Sequence, residues 1–217
     1  MSHALFPPSA AERWMTCPYS VKMVPLYPNY SNAASEEGTR QHKIAEKHLK
    51  EGTHPTDHKM ATYVGSVREH LGEAELCVER EVVIVPKLCW GTADAAAVSE
   101  ERIKLFDLKW GTHPVSATEN KQEMIYALGL LREYPLPRSA IIDLFIIQPN
   151  VKSGWPVKRW TTNVERLLDF KKEVIIAIDN AMTDKPKAVA GNHCFWCPAK
   201  PHCQAYLAMA GGKKALR

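Results

Sequence analysis

Three short stretches hold the residue types needed to break a phosphodiester: Gly91-Thr92-Ala93-Asp94, Asp107-Leu108-Lys109 and Gln122-x-x-x-Tyr126. Two carboxylates about 5 Å apart repel and retain a shared proton unless a positive charge lies between them. A hard divalent cation, Mg²⁺ or Mn²⁺, meets that need, with Asp94, Asp107 and the Leu108 carbonyl as oxygen ligands. Such an ion polarises a phosphodiester and lowers the pKa of a bound water, and Lys109 is placed to orient that water. Gln122 and Tyr126 stand one helical turn apart and share a face towards a substrate phosphate. His42, one turn from Glu46, adds an imidazole that would shift the preference towards Mn²⁺. A bare Asp-x-Lys is usually an ordinary charged hairpin, so a metal site requires that Asp94 meet it.

Register decides that. Thr92 to Val98 and Ile103 to Lys109 read as strands with polar Ser99-Glu100-Glu101-Arg102 between them, which is a hairpin. With Glu100 and Glu101 as the turn residues, paired positions sum to 201 and Asp94 falls opposite Asp107. Lys109 joins the same face by the period of two. A slip of one residue would break the constellation.

A second group is Cys194-Phe-Trp-Cys197-Pro-Ala-Lys-Pro-His-Cys203, a C-x2-C-x5-C spacing that brings three thiolates to one centre. Cys17, followed like Cys197 by proline, is the best fourth ligand, whereas Cys77 and Cys89 fall in or beside strands and read as buried small residues. Four thiolates suit a 4Fe-4S cluster or Zn²⁺, and His193 and His202 keep a Cys3His zinc site open. One ligand early and three late would staple the chain across its length, so losing the metal should loosen it.

The elements that must position these groups follow from pattern. Helices are predicted over Ser9 to Tyr19, Ser35 to Leu49 with Ile44, Ala45, His48 and Leu49 as its buried stripe, Lys59 to Leu71, Glu119 to Tyr134 and Asn163 to Met182. Strands are predicted over Val78 to Val85, through the hairpin, and over Ile141 to Gln148, which is apolar enough to be buried on both faces. Asp143 is expected at the exposed start of that strand. Asn29 to Ala34 reads as a loop and Gly211 to Arg217 as a loose end. Strands flanked before and after by helices describe an α/β fold with a mixed sheet.

Length and composition set outer bounds. The 217 residues, 45% of them hydrophobic, suffice for one core, so a single domain is expected. In it residues 1–35 and 184–210 pack together as cluster-binding segments around a core of residues 36–183. No stretch is long and apolar enough for a membrane span, the start lacks the pattern of a signal peptide, and the chain reads as cytoplasmic. A net charge of +4 with pI near 8.7 is compatible with a polyanionic partner without demanding one. Six cysteines in a cytosolic chain argue against a disulfide framework.

Taken in order, these motifs resemble the PD-(D/E)XK nuclease superfamily in its RecB-like branch, most closely its iron-sulfur members such as the AddB-type nuclease and the CRISPR adaptation nuclease. The resemblance spans nearly the whole chain: His42 in Glu-Gly-Thr-Arg-Gln-His, Gly91 and Asp94, Asp107 and Lys109, Gln122 and Tyr126, and Cys17 with Cys194, Cys197 and Cys203. Ser9-Ala-Ala-Glu-Arg-Trp14-Met-Thr-Cys17-Pro18 and Asp107-Leu-Lys-Trp-Gly111 also look like a small stand-alone phage and prophage family. The resemblance implies a restriction-endonuclease-like core and a 4Fe-4S cluster rather than zinc. It implies a metal-dependent deoxyribonuclease, an exonuclease preferring single-stranded DNA ends, in phage recombination or DNA processing. In that role His42, Asp94 and Asp107 would hold the metal, and any processivity would come from a homo-oligomer or a recombination partner. The alternative is a non-catalytic nucleic-acid-binding or assembly module kept together by its cysteine staple, and a third reading is a zinc-stapled adaptor.

Overall fold

The structure, a computed structural model, describes residues 4–27 and 33–214. Five strands form one sheet: β1 (Leu76–Val85), β2 (Cys89–Ser99), β3 (Arg102–Leu108), β4 (Ile141–Ile147) and β5 (Val157–Asn163), neighbours in that order. All neighbouring pairs are antiparallel except β3 and β4, which run parallel. A parallel pair needs a crossover, and the intervening chain supplies it with helix α5 (Lys121–Glu133).

The remaining helices are α1 (Ala11–Thr16), α2 (Ser20–Met23), α3 (Ala33–Glu51), α4 (His58–Leu71), α6 (Val164–Met182) and α7 (Gln204–Lys214). Asp57, Asn120 and Asn163 cap α4, α5 and α6 by accepting the amides of Met60, Glu123 and Arg166. Each cap satisfies one of the amides that a helix start leaves orphaned.

Alternation along the strands divides the core in two. Ile103, Leu105, Ile142 and Leu144 face one way, against Trp14 of α1, Met124 and Ile125 of α5 and Phe170 of α6. Phe106, Leu108, Phe145 and Ile147 face the other, against Ala45 and Leu49 of α3 and Met60, Tyr63 and Val67 of α4. The result is a mixed sheet between two helical layers. The β4 pattern, buried at every position but its first, matches the expectation for that strand. Helix α5 approaches β1 closely at Gly129, where a Cβ would stand 2.7 Å from Val82 Cβ.

Several expectations are corrected. Asp143 is 1% exposed rather than at an exposed start. Arg102 and Arg159, reaching across from β3 and β5, hold it with the Thr161 hydroxyl, so strand neighbours balance the charge in the interior. The edge strand β5 was not anticipated, because Val-Lys-Arg-Trp-Thr-Thr-Asn lacks an apolar run. The first helix is broken: a short 3-10 turn at Pro8–Ala10 precedes α1, which ends at Thr16, and a turn separates it from α2. Gln41 takes the buried place on α3 expected for His48. Of the loop expected at Asn29 to Ala34, Ala33 and Ala34 already belong to α3, and Asn29 to Asn32 lie outside the described residues. Gly211 to Lys214 continue α7, while Ala215 to Arg217 lie outside the described residues. Among the described residues no helix is long and apolar enough to cross a membrane.

Candidate functional site

The β2–β3 ladder has the register in which pairs sum to 201, from Ser99↔Arg102 to Ala95↔Phe106, with Glu100 and Glu101 in the turn. Asp94 and Asp107 are the next residues, where that ladder stops. The Leu108 amide is bound by the Asp94 carboxylate, Oδ2 accepting at 2.8 Å. Asp94 thus takes the place of a strand carbonyl and holds the end of the hairpin apart.

Helices from both layers close on this opening. From α3, His42 Nδ1 lies 3.0 Å from Asp94 Oδ1. From α5, Gln122 Nε2 donates to Asp107 Oδ1 at 2.9 Å while its Oε1 accepts from Lys109 Nζ at 2.9 Å. Lys109 Nζ also donates to Asp107 Oδ1 at 3.0 Å. It lies 2.9 Å from Oδ2 as well, but off the hydrogen-bonding direction, so this buried oxygen keeps an unfilled acceptor. Tyr126 packs by its ring edge on Gly91, where a Cβ would come within 3.1 Å of it and 3.2 Å of Pro8. The glycine of the Gly-x-x-Asp stretch is therefore a packing requirement. Burial, followed by the charge of Asp107, raises the Tyr126 hydroxyl, which lies beside Gln122.

The electrostatics follow from burial. Asp107 is 3% exposed, and desolvation pushes its pKa up against the opposing pull of Lys109. Desolvation alone would lower the Lys109 ammonium, yet Asp107 outweighs it and the amine stays charged. Burial would likewise lower the His42 imidazole, but Asp94 and Asp107 hold it above its ordinary value.

Two acids that sequence reasoning missed complete the picture. Glu79 lies between the pairs Val78↔Ala95 and Arg80↔Ala93, across β1 from Asp94. Its φ of 52° is a left-handed conformation rare for such a residue, and it leaves a gap in the β1–β2 ladder while the strand runs on. Ligand atoms of His42, Glu79 and Asp94 lie within 4.8 Å of one another, the one such gathering among the described residues. Burial, then Asp94 and Glu46, push the Glu79 carboxyl up to about 7. Glu123 of α5 is 1% exposed with both oxygens unbonded, and burial followed by Asp107 raises it well above the carboxylate range. Its signal was an acid in the apolar stripe with Ala127 and Leu130, disguised by its place three residues after the Asn120 cap, where glutamate is ordinary.

The donor set fits a hard divalent cation: one imidazole and up to three carboxylates, one of which, Asp107, keeps a buried oxygen with spare lone pairs. The expected triad of His42, Asp94 and Asp107 is only partly gathered, since Asp107 is turned towards Lys109 and Gln122.

Cys17, Cys194, Cys197 and Cys203 line one cavity of about 20 Å³, together with Arg13 and His193. The chain ends are joined around it: Tyr19 N donates to Lys187 O, Lys22 reaches Thr183 O and Asp184 O, and Val189 N donates to Cys17 Sγ at 3.3 Å. Gly191 N donates to Cys194 Sγ at 3.5 Å. Amides aimed at sulfur suit thiolates. No three of these sulfurs gather within 4.8 Å of one another, and four thiols around one cavity suit either a zinc ion or an iron-sulfur cluster. Cys89 is fully buried in β2 and Cys77 half-buried in β1, apart from this cavity.

A mixed sheet between helical layers, opened at one end around acids, a histidine and a lysine, defines an α/β protein with a candidate cation site. The chain belongs to the family DUF2800, a family of unknown function, whose model matches residues 3–79 and 57–211. Among solved structures the chain is similar to SSO0001, at 14% identity over 95% of this chain and 88% of that one, with a TM-score of 0.44. It is also similar to a phage related exonuclease from Haemophilus somnus 129PT, at 14% identity over 76% and 92%, with a TM-score of 0.31.

Proposed function

We propose that the protein is a divalent-metal-dependent deoxyribonuclease of the PD-(D/E)XK, RecB-like kind, acting on single-stranded DNA ends in phage recombination or DNA processing in the cytoplasm. The observation that carries this reading is the convergence of Asp94, Asp107 and Lys109 at the parted end of one hairpin, with His42 and Gln122 brought from opposite helical layers.

His42, Asp94 and Asp107, with the Leu108 carbonyl and Glu79 beside them, would hold Mn²⁺ or Mg²⁺. When bound, the ion polarises the phosphodiester and acidifies a water. Lys109, kept protonated by Asp107, orients that water and meets the charge that grows on the phosphoryl oxygens. Gln122 fixes both Lys109 and Asp107, and Tyr126 holds the helix that carries Gln122 against Gly91. The water oxygen bonds to phosphorus as its proton passes to solvent, the bond to the leaving sugar oxygen breaks, and that oxygen takes up a proton from solvent. Cys17, Cys194, Cys197 and Cys203 would hold a 4Fe-4S cluster as a structural staple between residues 1–35 and 184–210.

The test is incubation of anaerobically purified protein with end-labelled single-stranded and duplex DNA plus Mn²⁺, Mg²⁺ or EDTA. Products should require the ion, and Asp107→Ala and Lys109→Ala should each lower the rate by at least about 10²-fold while the brown colour stays. Cleavage surviving in both variants would sink the assignment. Binding that falls steeply with salt, without products, would instead favour a non-catalytic module in which the Lys109–Asp107–Gln122 network is only structural.

A further inference from the structure

The loop between Cys194 and Cys197 carries two large aromatic residues outward: Phe195 is 57% and Trp196 70% exposed. They stand edge to face with ring centroids 4.6 Å apart. His113 stacks on Phe195 at 5.8 Å with an interplanar angle of 14° and meets Trp196 edge-on at 6.2 Å. His113 lies four residues beyond Lys109, so it is within about 14 Å along the chain. Its loop is fixed rather than loose: Gln148, 1% exposed at the end of β4, donates to Gly111 O at 2.8 Å and His113 O at 2.6 Å and accepts from Val115 N.

Charge points to the occupant. Residues 185–217 hold six lysines and arginines and no acid, while the preceding 184 residues hold 22 basic against 24 acidic. The loop from Trp110 to Thr118 also lacks any acid. Lys200 Nζ lies 5.6 Å from the Phe195 ring centroid, which sets a cation beside the aromatic pair. Exposed rings beside a lysine, on two segments that carry no acid, match the surfaces on which single-stranded nucleic acid stacks its bases, because every base has a π-face while its phosphates seek lysine.

We propose that Trp196, Phe195 and His113 form a stacking platform for single-stranded nucleic acid, a few nucleotides from the bond held at Asp94 and Asp107. The platform rests on the nuclease reading for its place along the strand, but its binding can be measured separately. The cysteine junction then has a second task, since it presents the bases' support as well as joining the chain ends.

The experiment uses the full metal-loaded chain, fluorescein-labelled oligothymidine followed by anisotropy without added divalent ion, and cleavage of a thymidine dinucleotide too short to span both places. Trp196→Ala should weaken oligothymidine binding about tenfold or more. Trp196→Phe should keep most of it, and dinucleotide cleavage and iron content should stay unchanged. His113→Ala, on the other loop and outside the cysteine segment, should weaken binding in the same sense if Trp196→Ala disturbs the metal. Oligothymidine binding unchanged in Trp196→Ala and His113→Ala, or absent in the wild-type protein, overturns the proposal and leaves the face to a protein partner. Binding that depends on Trp196 with no cleavage of either substrate by wild type would overturn the nuclease reading and keep the platform.

Discussion

The carboxylate opening and the cysteine junction are built by opposite means. At the opening, Asp94, Asp107 and Lys109 come from one hairpin, and donors from two helices lock them into a hydrogen-bonded set. At the junction, residues 172 apart in sequence are joined by a single amide-to-sulfur bond between Val189 and Cys17. Its other links are the Lys22 side chain on Thr183 O and Asp184 O and the backbone bond from Tyr19 to Lys187. The difference teaches that the first site is prearranged by the sheet, whereas the second is held by few direct bonds between distant parts of the chain.

The largest effect should come from breaking the junction. If the four thiols hold the proposed metal group, its removal with a chelator, or Cys194→Ser, is expected to lower stability by about 4 kcal/mol or more, the linkage energy of a ligand whose dissociation constant lies far below its free concentration. Thermal unfolding with and without chelator measures it, and hydrogen exchange should show residues 4–27 and 185–210 loosening before the sheet. If the sheet melts together with the ends, the two regions are not independent.

The opening should behave in the reverse way. Glu123→Met replaces a buried, unbonded carboxyl by an apolar chain of similar size, and denaturant unfolding should show a gain of about 1–3 kcal/mol. If cleavage falls although stability rises, the acid is kept for the chemistry at Asp107. A loss of stability would contradict its unpartnered state.

Gly129→Ala tests how tightly the sheet sets the helix that carries Gln122. The added methyl meets Val82 Cβ at 2.7 Å. The clash costs about 1–3 kcal/mol, partly offset by about 1 kcal/mol of helix propensity. A net loss near 1 kcal/mol, with a shift of Gln122 visible in the cleavage rate, is expected.

The smallest effect is a pH dependence. In the folded, cation-free protein Glu79 keeps its proton up to about pH 7, whereas an ordinary carboxyl releases it near 4.5. Between those values the unfolded chain holds fewer protons, so stability should fall as pH rises through that window. Discounted for its partial exposure, the fall is about 1 kcal/mol. Glu79→Gln should remove this share of the fall, leaving the part in the same sense from the raised carboxyls of Asp107 and Glu123, and added Mn²⁺ should oppose it; a profile unchanged by the substitution would remove Glu79 from the site.

The hairpin was legible in the sequence because alternation and a polar turn fix register without help from the rest of the chain. The α3, α4 and α6 spans were legible for the same reason, since caps and apolar periodicity are local. Glu79 was not, because a left-handed residue inside a strand leaves no mark on the alternation around it. Asp143 was misread because the arginines that balance it come from neighbouring strands, one of them β5, which itself has no apolar run to announce it. Cys17 could be paired with the later cysteines by its type and following proline, yet only the fold shows the chain ends meeting.

The meeting of Cys17 with Cys203 also has a consequence in time. A ribosome adds about 5–20 residues per second, so the thiol nearest the start waits on the order of ten to forty seconds while the 186 residues up to Cys203 are made. A chain released before Cys194 has only one of the four thiols lining that cavity. The four thiols around that cavity can therefore come together only after synthesis has passed Cys203.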